Sequence, residues 1–310
     1  MLATPGALPA AEVEGQWAFE VKQDGQRAVI YLPGDGTLVV RARSGTNITA
    51  AYPELLPLAS VLGGRRAVLD GEIVAPDEHG RSDFERLQQR MGLAGSPTRA
   101  ARMALAVPVH VMLFDVLYLD GELTTGLPYM ERRGLLEGLG LEGAAWSTPG
   151  SITGHGARAW EAARDAGLEG LLAKRVASRY EPGVRSKSWI KIKVHHLADV
   201  IVGGWVPGRG RLAGLPGAVL VGERHGGRLH YAGSVGTGWN QSERARLAEL
   251  LHVAAIATCP FAEVPPVAGA RWVLPRLVGE VRYTTRTRAG RLRHPSWHRL
   301  RTDLAPDDLT

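Results

Sequence analysis

The side chains best suited to chemistry in this sequence are its lysines, because there are so few. Of 37 basic residues in the 310-residue chain, 32 are arginine and five are lysine: Lys22, Lys174, Lys187, Lys191 and Lys193. An arginine keeps its proton at any workable pH, whereas a lysine can give its proton up and attack as an amine. Four of the five fall between residues 174 and 193. The fifth stands in Lys22-Gln23-Asp24-Gly25-Gln26-Arg27. There a strand end, a tight Asp-Gly turn and an arginine would bring ammonium and guanidinium to one pocket. Taken alone, this stretch suits a surface turn equally well. Within it, Asp24 is expected to shape the turn and orient Arg27.

Further groups of the same kind follow in strand-like stretches: Asp70-Gly71-Glu72, Phe114-Asp115 and Glu169-Gly170-Leu171-Leu172-Ala173-Lys174. Trp189-Ile190-Lys191-Ile192-Lys193 alternates, which puts both lysines on one face and the apolar residues on the other. Each has a plainer reading. Glu72 and Glu169 suit strand-end acids in surface ion pairs, and Phe114 suits a core position. Asp70 and Asp115 are read as structural.

In this order and spacing the series is similar to the nucleotidyltransferase motifs of covalent nucleotide-dependent ligases. The chain resembles a bacterial ATP-dependent DNA ligase of the end-joining and repair type. The resemblance runs from Met1-Leu2-Ala3-Thr4-Pro5, through Arg43-Ser44-Gly45 and Tyr180-Glu181-Pro182-Gly183-Val184-Arg185-Ser186, to Gly290-Arg291-Leu292-Arg293-His294-Pro295. It implies an α+β fold. An adenylation (nucleotidyltransferase) domain with antiparallel sheets and flanking helices would occupy 1–196, and an OB-fold β-barrel that binds nucleic acid would occupy 197–310.

The resemblance also implies roles. Lys22 would attack the α-phosphorus of ATP, expel pyrophosphate and hold AMP as a phosphoramidate. A free lysine, with a pKa of about 10.4, is mostly protonated at neutral pH. Arg27, Lys191 and Lys193 are the cations expected to lower that value and to neutralise the reacting phosphate. Glu72 and Glu169 would hold Mg²⁺ (or Mn²⁺) or the ribose hydroxyls. Phe114 would stack on adenine, Glu20 would help select the base, and Arg43 would meet the nucleotide or the broken strand's phosphate. AMP would then pass to a 5′-phosphate, and a 3′-hydroxyl would displace it and seal the strand. The family's last motif closes over the nucleotide. Arg299-Leu300-Arg301-Thr302-Asp303 matches its Arg-x-Asp part, with Arg301 the expected nucleotide contact, but Leu304 stands where a lysine is usual.

The elements that must position these groups can be read from pattern. Strands are predicted at 17–22, 27–32, 37–43, 66–74, 107–119, 168–175 and 188–194, with helices at 82–91 (opened by Ser82), 128–139 and 156–166. After His196 the pattern changes to strands at 198–206, 217–224 and 228–235, a helix at 240–252, and strands at 271–274 and 276–284. This suits a small five-stranded barrel with one helix.

Charge follows the same division. Residues 1–196 hold 22 basic and 22 acidic side chains, whereas 197–310 hold 15 arginines against nine acids, so the whole formal excess of +6 lies in the last part. Between 280 and 301 seven arginines face one acid, Glu280. Arg282, Arg286, Arg288, Arg291 and Arg293, with Arg43, are expected to contact DNA phosphates. A solvated basic face is the alternative.

The expected partners are nicked or broken duplex DNA and end-joining or other repair proteins, for a monomer working in the cytoplasm at the nucleoid. No apolar run reaches the roughly 20 residues of a spanning helix, and the first residues lack a basic signal-peptide region. The single cysteine, Cys259, excludes an internal disulfide or a four-cysteine zinc site and is expected to pack. NAD as donor is disfavoured, because the length and cysteine count do not suit the zinc and nicotinamide-recognising modules of NAD-dependent ligases, and an extra DNA-clamping domain is not expected in this sequence. Gly154-His155-Gly156-Ala157-Arg158-Ala159 and Gly208-Arg209-Gly210-Arg211-Leu212-Ala213 match a dinucleotide-binding pattern, but neither is expected to link a strand to a helix. An RNA ligase, a GTP-using capping nucleotidyltransferase and a non-catalytic nucleic-acid-binding protein are the other readings.

Overall fold

The turn that carries Lys22 joins two different sheets. In the computed structural model, which describes residues 1–309, the chain divides into two compact units, Met1–Val194 and a second beginning at His195. Unit 1 runs through β1 (Leu2–Pro5), β2 (Trp17–Val21), β3 (Gln26–Leu32), β4 (Val39–Ala42), α1 (Leu58–Val61), β5 (Ala67–Val74), α2 (Phe84–Gln88) and α3 (Pro97–Ala106). It continues with β6 (His110–Leu119), β7 (Glu122–Leu123), α4 (Tyr129–Gly138), β8 (Trp146–Ser147), β9 (Ser151–Thr153), α5 (Gly156–Asp165), β10 (Gly170–Arg175) and β11 (Arg185–Lys193). One sheet has the order β1-β11-β10-β2-β9; the other has β4-β3-β5-β6-β7, with β8 also on β6. Residues 22–25 cross from the first to the second. Gly25 is required there, since a Cβ would lie 2.3 Å from the Ile73 carbonyl oxygen and 2.8 Å from Glu72 Cγ.

A bulge decides which way the middle of β6 faces. Asp70 pairs with Asp115 but Gly71 pairs with Leu113, so Phe114 is an extra residue. Before it, Val111 and Leu113 enter the main core; after it, Val116 does so instead. Phe114 is thereby turned to a separate cluster with Met1, Tyr180 and Trp189, as expected where a bulge re-aims a side chain.

Several elements differ from expectation. Helix α2 is capped by Asp83, whose carboxylate accepts from the Glu85 and Arg86 N–H groups, rather than opened by Ser82. The strand β1 and the helix α3 lie outside the predicted elements, although α3 opens on Pro97 and is rich in the helix formers Ala, Arg, Met and Leu. Trp189 shares the odd-numbered face of Lys191 and Lys193, while Ile190 and Ile192 pack against Trp17 and Phe19 on the other.

Unit 2 consists of β12 (His196–Pro207), β13 (Pro216–His225), β14 (Arg228–Val235), α6 (Gln241–Val253), β15 (Ala255–Ile256), β16 (Arg271–Tyr283), β17 (Thr285–Arg286), β18 (Leu292–Arg293) and β19 (Ser296–Leu300). The main sheet is ordered β14-β13-β12-β16-β15, with β19 added on β16, so it has six strands rather than five. Val200, Val202, Val219 and Val221 face one core and Ile201 and Leu220 the other, so both faces are covered. Cys259 packs beside the second core. The two strands expected at 271–274 and 276–284 are one. Pro275 sits inside the register shift between Trp272 and Leu277, where β16 makes no ladder with β12 and the missing N–H costs nothing. Asn240 caps α6 in a capping box with Glu243. No helix among the described residues is long and apolar enough to cross a membrane.

Candidate active site

The end of β2 is fastened to the start of β10 by Lys22 N–H donating to the Gly170 carbonyl (2.9 Å). Gly170, at φ 145°, lies so close to β11 that a Cβ would come 2.0 Å from the Ile192 carbonyl oxygen. This close approach sets Glu169 between two lysines. Its Oε2 accepts from Lys22 Nζ, and its Oε1 lies 2.8 Å from Lys193 Nζ. Burial alone would raise the Glu169 carboxyl, but Lys22 and Lys193 outweigh it and hold the group below its ordinary value. Lys191, on the same face as Lys193, is pushed down by burial and by the cations Lys193, Arg185 and Lys22.

Across the turn, β3 and β5 set Arg27 opposite Glu72. Arg27 is forked by Asp70, with Nε 2.8 Å from Oδ1 and Nη2 2.5 Å from Oδ2. Tyr180 Oη donates to the same Oδ2 at 2.7 Å. Asp70, expected to be structural, thus fixes the orientation of Arg27. The guanidinium lies 5.2 Å from the centre of the Phe114 ring and 5.7 Å from that of Trp189. The Glu72 carboxyl has no hydrogen-bond partner among the described residues. Burial pushes its carboxyl up to about 7, against the pull of Arg27 and Lys22.

These groups surround a cavity of about 220 Å³, lined by Glu20, Lys22, Arg27, Arg43, Glu72, Phe114 and Lys191 of the expected residues, and by Leu172, Arg185 and Trp189, which were not expected. Lys193 and Glu169 stand beside it through Lys22. Lys174 and Lys187 diverge: Lys187 is exposed, while Lys174 is fully buried in an ion pair with Glu20 (2.7 Å). Phe114 is only 7% exposed, so one ring is both core and cavity wall.

No group of three or more His, Cys, Asp or Glu able to hold a metal occurs among the described residues. Magnesium needs only one or two carboxylates when phosphate oxygens and water complete its shell. The Glu72 carboxyl, in the cavity and without a hydrogen-bond partner, fits that pattern; both Glu169 oxygens are engaged by lysines.

The expected DNA-binding residues lie in unit 2, apart from Arg43. Arg282, Arg286, Arg288 and Arg291 are exposed and Arg293 is half-buried, the last four on or beside the β17–β18 hairpin. Glu280 is not the only acid near them, because Glu223 pairs with Arg286 at 2.7 Å. Arg291 lies over the Tyr231 ring at 5.4 Å. Arg301 is held within unit 2 by Asp199 (2.7 Å) and Asp303 (2.8 Å).

The Gly154–Ala159 match corrects an expectation, since it does lie between strand β9 and helix α5. The Gly156 N–H, however, already donates to Glu14 Oε2 (2.9 Å), so a carboxylate from the chain sits where a phosphate would bind. β9 is also antiparallel to β2 rather than part of a parallel crossover. The Gly208–Ala213 match leads into strand β13, not a helix.

A lysine amine beside an aromatic-walled cavity rimmed with cations fits the constellation of a covalent nucleotidyltransferase. Comparison with known proteins narrows the class. A family model described as the ATP dependent DNA ligase domain matches residues 1–193, and one described as the ATP dependent DNA ligase C terminal region matches 213–304. The chain belongs to the ATP-dependent DNA ligase family, whose adenylation and OB-fold architecture is that of the two units. It is 39% identical over its whole length to the multifunctional non-homologous end joining protein LigD of Mycolicibacterium smegmatis and 40% identical to that of Mycobacterium tuberculosis, spanning 39% of each. The chain thus covers about two fifths of the length of these curated relatives. The crystal structure of the ligase domain from M. tuberculosis LigD and a solved structure of a mycobacterial DNA ligase D complexed with ATP and MES each match with a TM-score of 0.57 and 38% identity. Each match covers 100% of this chain and 96% of the other.

Proposed function

We propose that this chain seals 3′-hydroxyl/5′-phosphate breaks in DNA by three nucleotidyl transfers that begin at Lys22. The observation that carries this reading is the Lys22–Glu169–Lys193 bridge beside a cavity that also holds Arg27, Lys191 and Glu72. ATP would bind with adenine against Phe114 and its phosphates toward Arg27 and Lys191. Lys22 sheds a proton along its contact with Glu169 and attacks the α-phosphorus. The P–N bond forms as the bond to pyrophosphate breaks. Arg27, fixed by Asp70, and Lys191 neutralise the charge that builds on the phosphoryl oxygens.

Once Lys22 carries AMP, its ammonium no longer holds Glu169, so an oxygen of Glu169 becomes available beside Glu72. Mg²⁺ or Mn²⁺, held there with the nucleotide's phosphate oxygens, would supply further charge neutralisation. The 5′-phosphate of a broken strand, met by Arg43, then takes AMP from Lys22. The 3′-hydroxyl attacks that phosphate, the phosphodiester forms, and AMP leaves. Residues 1–196 would perform adenylation, while 197–310 hold duplex phosphates through Arg282, Arg286, Arg288, Arg291 and Arg293. Arg301 would reach the nucleotide after leaving Asp199.

The names of the relatives support a place in end-joining repair on nicked or broken duplexes, together with other repair proteins. Incubation with α-labelled ATP or GTP, followed by denaturing electrophoresis and by sealing of nicked DNA and nicked RNA, tests the reading. Covalent label from ATP and sealing of nicked DNA are expected. Label from GTP alone, or sealing of RNA alone, would overturn it.

A further inference from the structure

Glu20 lies two residues before Lys22 and lines the same cavity, yet its carboxylate is held mainly from the interior. Tyr129 Oη donates to Oε1. Lys174 Nζ lies 2.9 Å from Oε1 and 2.7 Å from Oε2. Both partners are completely buried (0% exposed). The Lys174 ammonium is enclosed by three rings, with centres at 4.4 Å (Trp189), 4.5 Å (Phe114) and 5.0 Å (Tyr129). No step of the nucleotidyl transfer described above uses Lys174 or Tyr129.

An ionised carboxylate offers about four acceptor positions. At Glu20 the two on Oε1 are filled by Tyr129 and Lys174, and one on Oε2 is turned to Lys174. We propose that Lys174 and Tyr129 are positioning residues that set base specificity: by filling Oε1 they leave Glu20 a single acceptor, Oε2, for the nucleotide. One acceptor matches the lone 6-amino donor on the edge of adenine. Guanine presents two adjacent donors, N1–H and the 2-amino group, which a carboxylate meets best with both oxygens. With Oε1 filled, one of those donors is buried without an acceptor, and a site that strands a donor discriminates strongly. The inference rests on the reading of this cavity as the ATP site.

The test is kcat/KM for self-adenylation with ATP and with GTP, in the full chain and in Tyr129→Phe, which keeps the buried ring and removes only the hydroxyl. The preference for ATP over GTP is expected to fall about tenfold or more, carried by faster use of GTP. A purely structural role would slow both nucleotides by one factor and leave the ratio unchanged, which would overturn the proposal. A second measurement needs no variant. On the unsubstituted chain, 2,6-diaminopurine triphosphate, which keeps the 6-amino group, should react nearly as well as ATP, and inosine triphosphate, which lacks it, at least tenfold more slowly. Equal use of inosine triphosphate and ATP would overturn the proposal even if Tyr129→Phe did not fold. Loss of all labelling from ATP in the unsubstituted chain would instead defeat the nucleotidyl-transfer reading beneath it.

Discussion

The cavity beside Lys22 in unit 1 and the arginine-rich hairpin of unit 2 use charge in opposite ways. Around the cavity, several charged groups are held in ion pairs, Arg27 with Asp70, Lys174 with Glu20 and Glu169 with two lysines, and elsewhere in the same unit Arg132 pairs with Asp115 at 2.7 Å. Along β17–β18 the arginines are mostly exposed, and their unit carries 15 against nine acids. A buried pair fixes geometry, and breaking it leaves an uncompensated charge. An exposed surplus fixes little but attracts a polyanion at every salt-accessible phosphate. Most of the buried ion pairs thus lie in the unit whose charges balance, and the arginine excess lies in the other.

Substitutions should separate the two uses. Lys22→Arg keeps the charge but removes the amine, so self-adenylation should fall to background while the folded state is retained; residual adduct in a labelling gel would break the assignment. Asp70→Asn should come next, destabilising the protein by about 3–5 kcal/mol in urea unfolding, because Arg27 would stay charged and half-buried without its fork. A loss below about 1 kcal/mol would mean that the fork resembles a surface pair.

Glu72 gives a pH-dependent contrast. Its folded-state carboxyl is raised to about 7, above the unfolded value near 4.5, so its ionisation disfavours the fold. That penalty is absent below about pH 4.5, grows as pH rises through 7 and is then complete. Glu72→Gln should be the more stable protein at pH 8 by about 1–3 kcal/mol and equal to the parent near pH 4.5. A difference that does not change with pH would show that Glu72 is not desolvated.

In unit 2 the effects should be on binding. Arg291→Ala with Arg293→Ala should weaken nicked-DNA binding and reduce the steepness of its salt dependence by about two ions. Self-adenylation falling as far as DNA binding would erase the distinction between the regions. The smallest effect should come from Glu223→Gln, which releases exposed Arg286 at a cost below about 1 kcal/mol.

What could be read from the sequence was whatever depends on local spacing. Lys22 and Arg27 are joined by one turn, and Lys191 and Lys193 share a face by alternation alone. What could not be read depends on long-range register. The fork of Asp70 on Arg27 exists because β3 and β5 pair Val29 with Asp70 and Arg27 with Glu72, a register that neither strand's sequence contains. The turn of Phe114 toward the cavity comes from a bulge on β6, invisible to a simple two-residue period. Trp189 was placed on the apolar face by its chemistry, although its odd number put it with the lysines. Tyr129 and Lys174 reach Glu20 from elements 109 and 154 residues away in sequence, with no spacing signal to betray them.

The most direct test of the account is to map the adduct. The protein is incubated with ATP and Mg²⁺, kept away from acid that would hydrolyse a phosphoramidate, digested, and sequenced by mass spectrometry. The account predicts AMP on the peptide containing Lys22, lost in Lys22→Arg. AMP on Lys191, Lys193 or any other residue, with Lys22 unmodified, would contradict it.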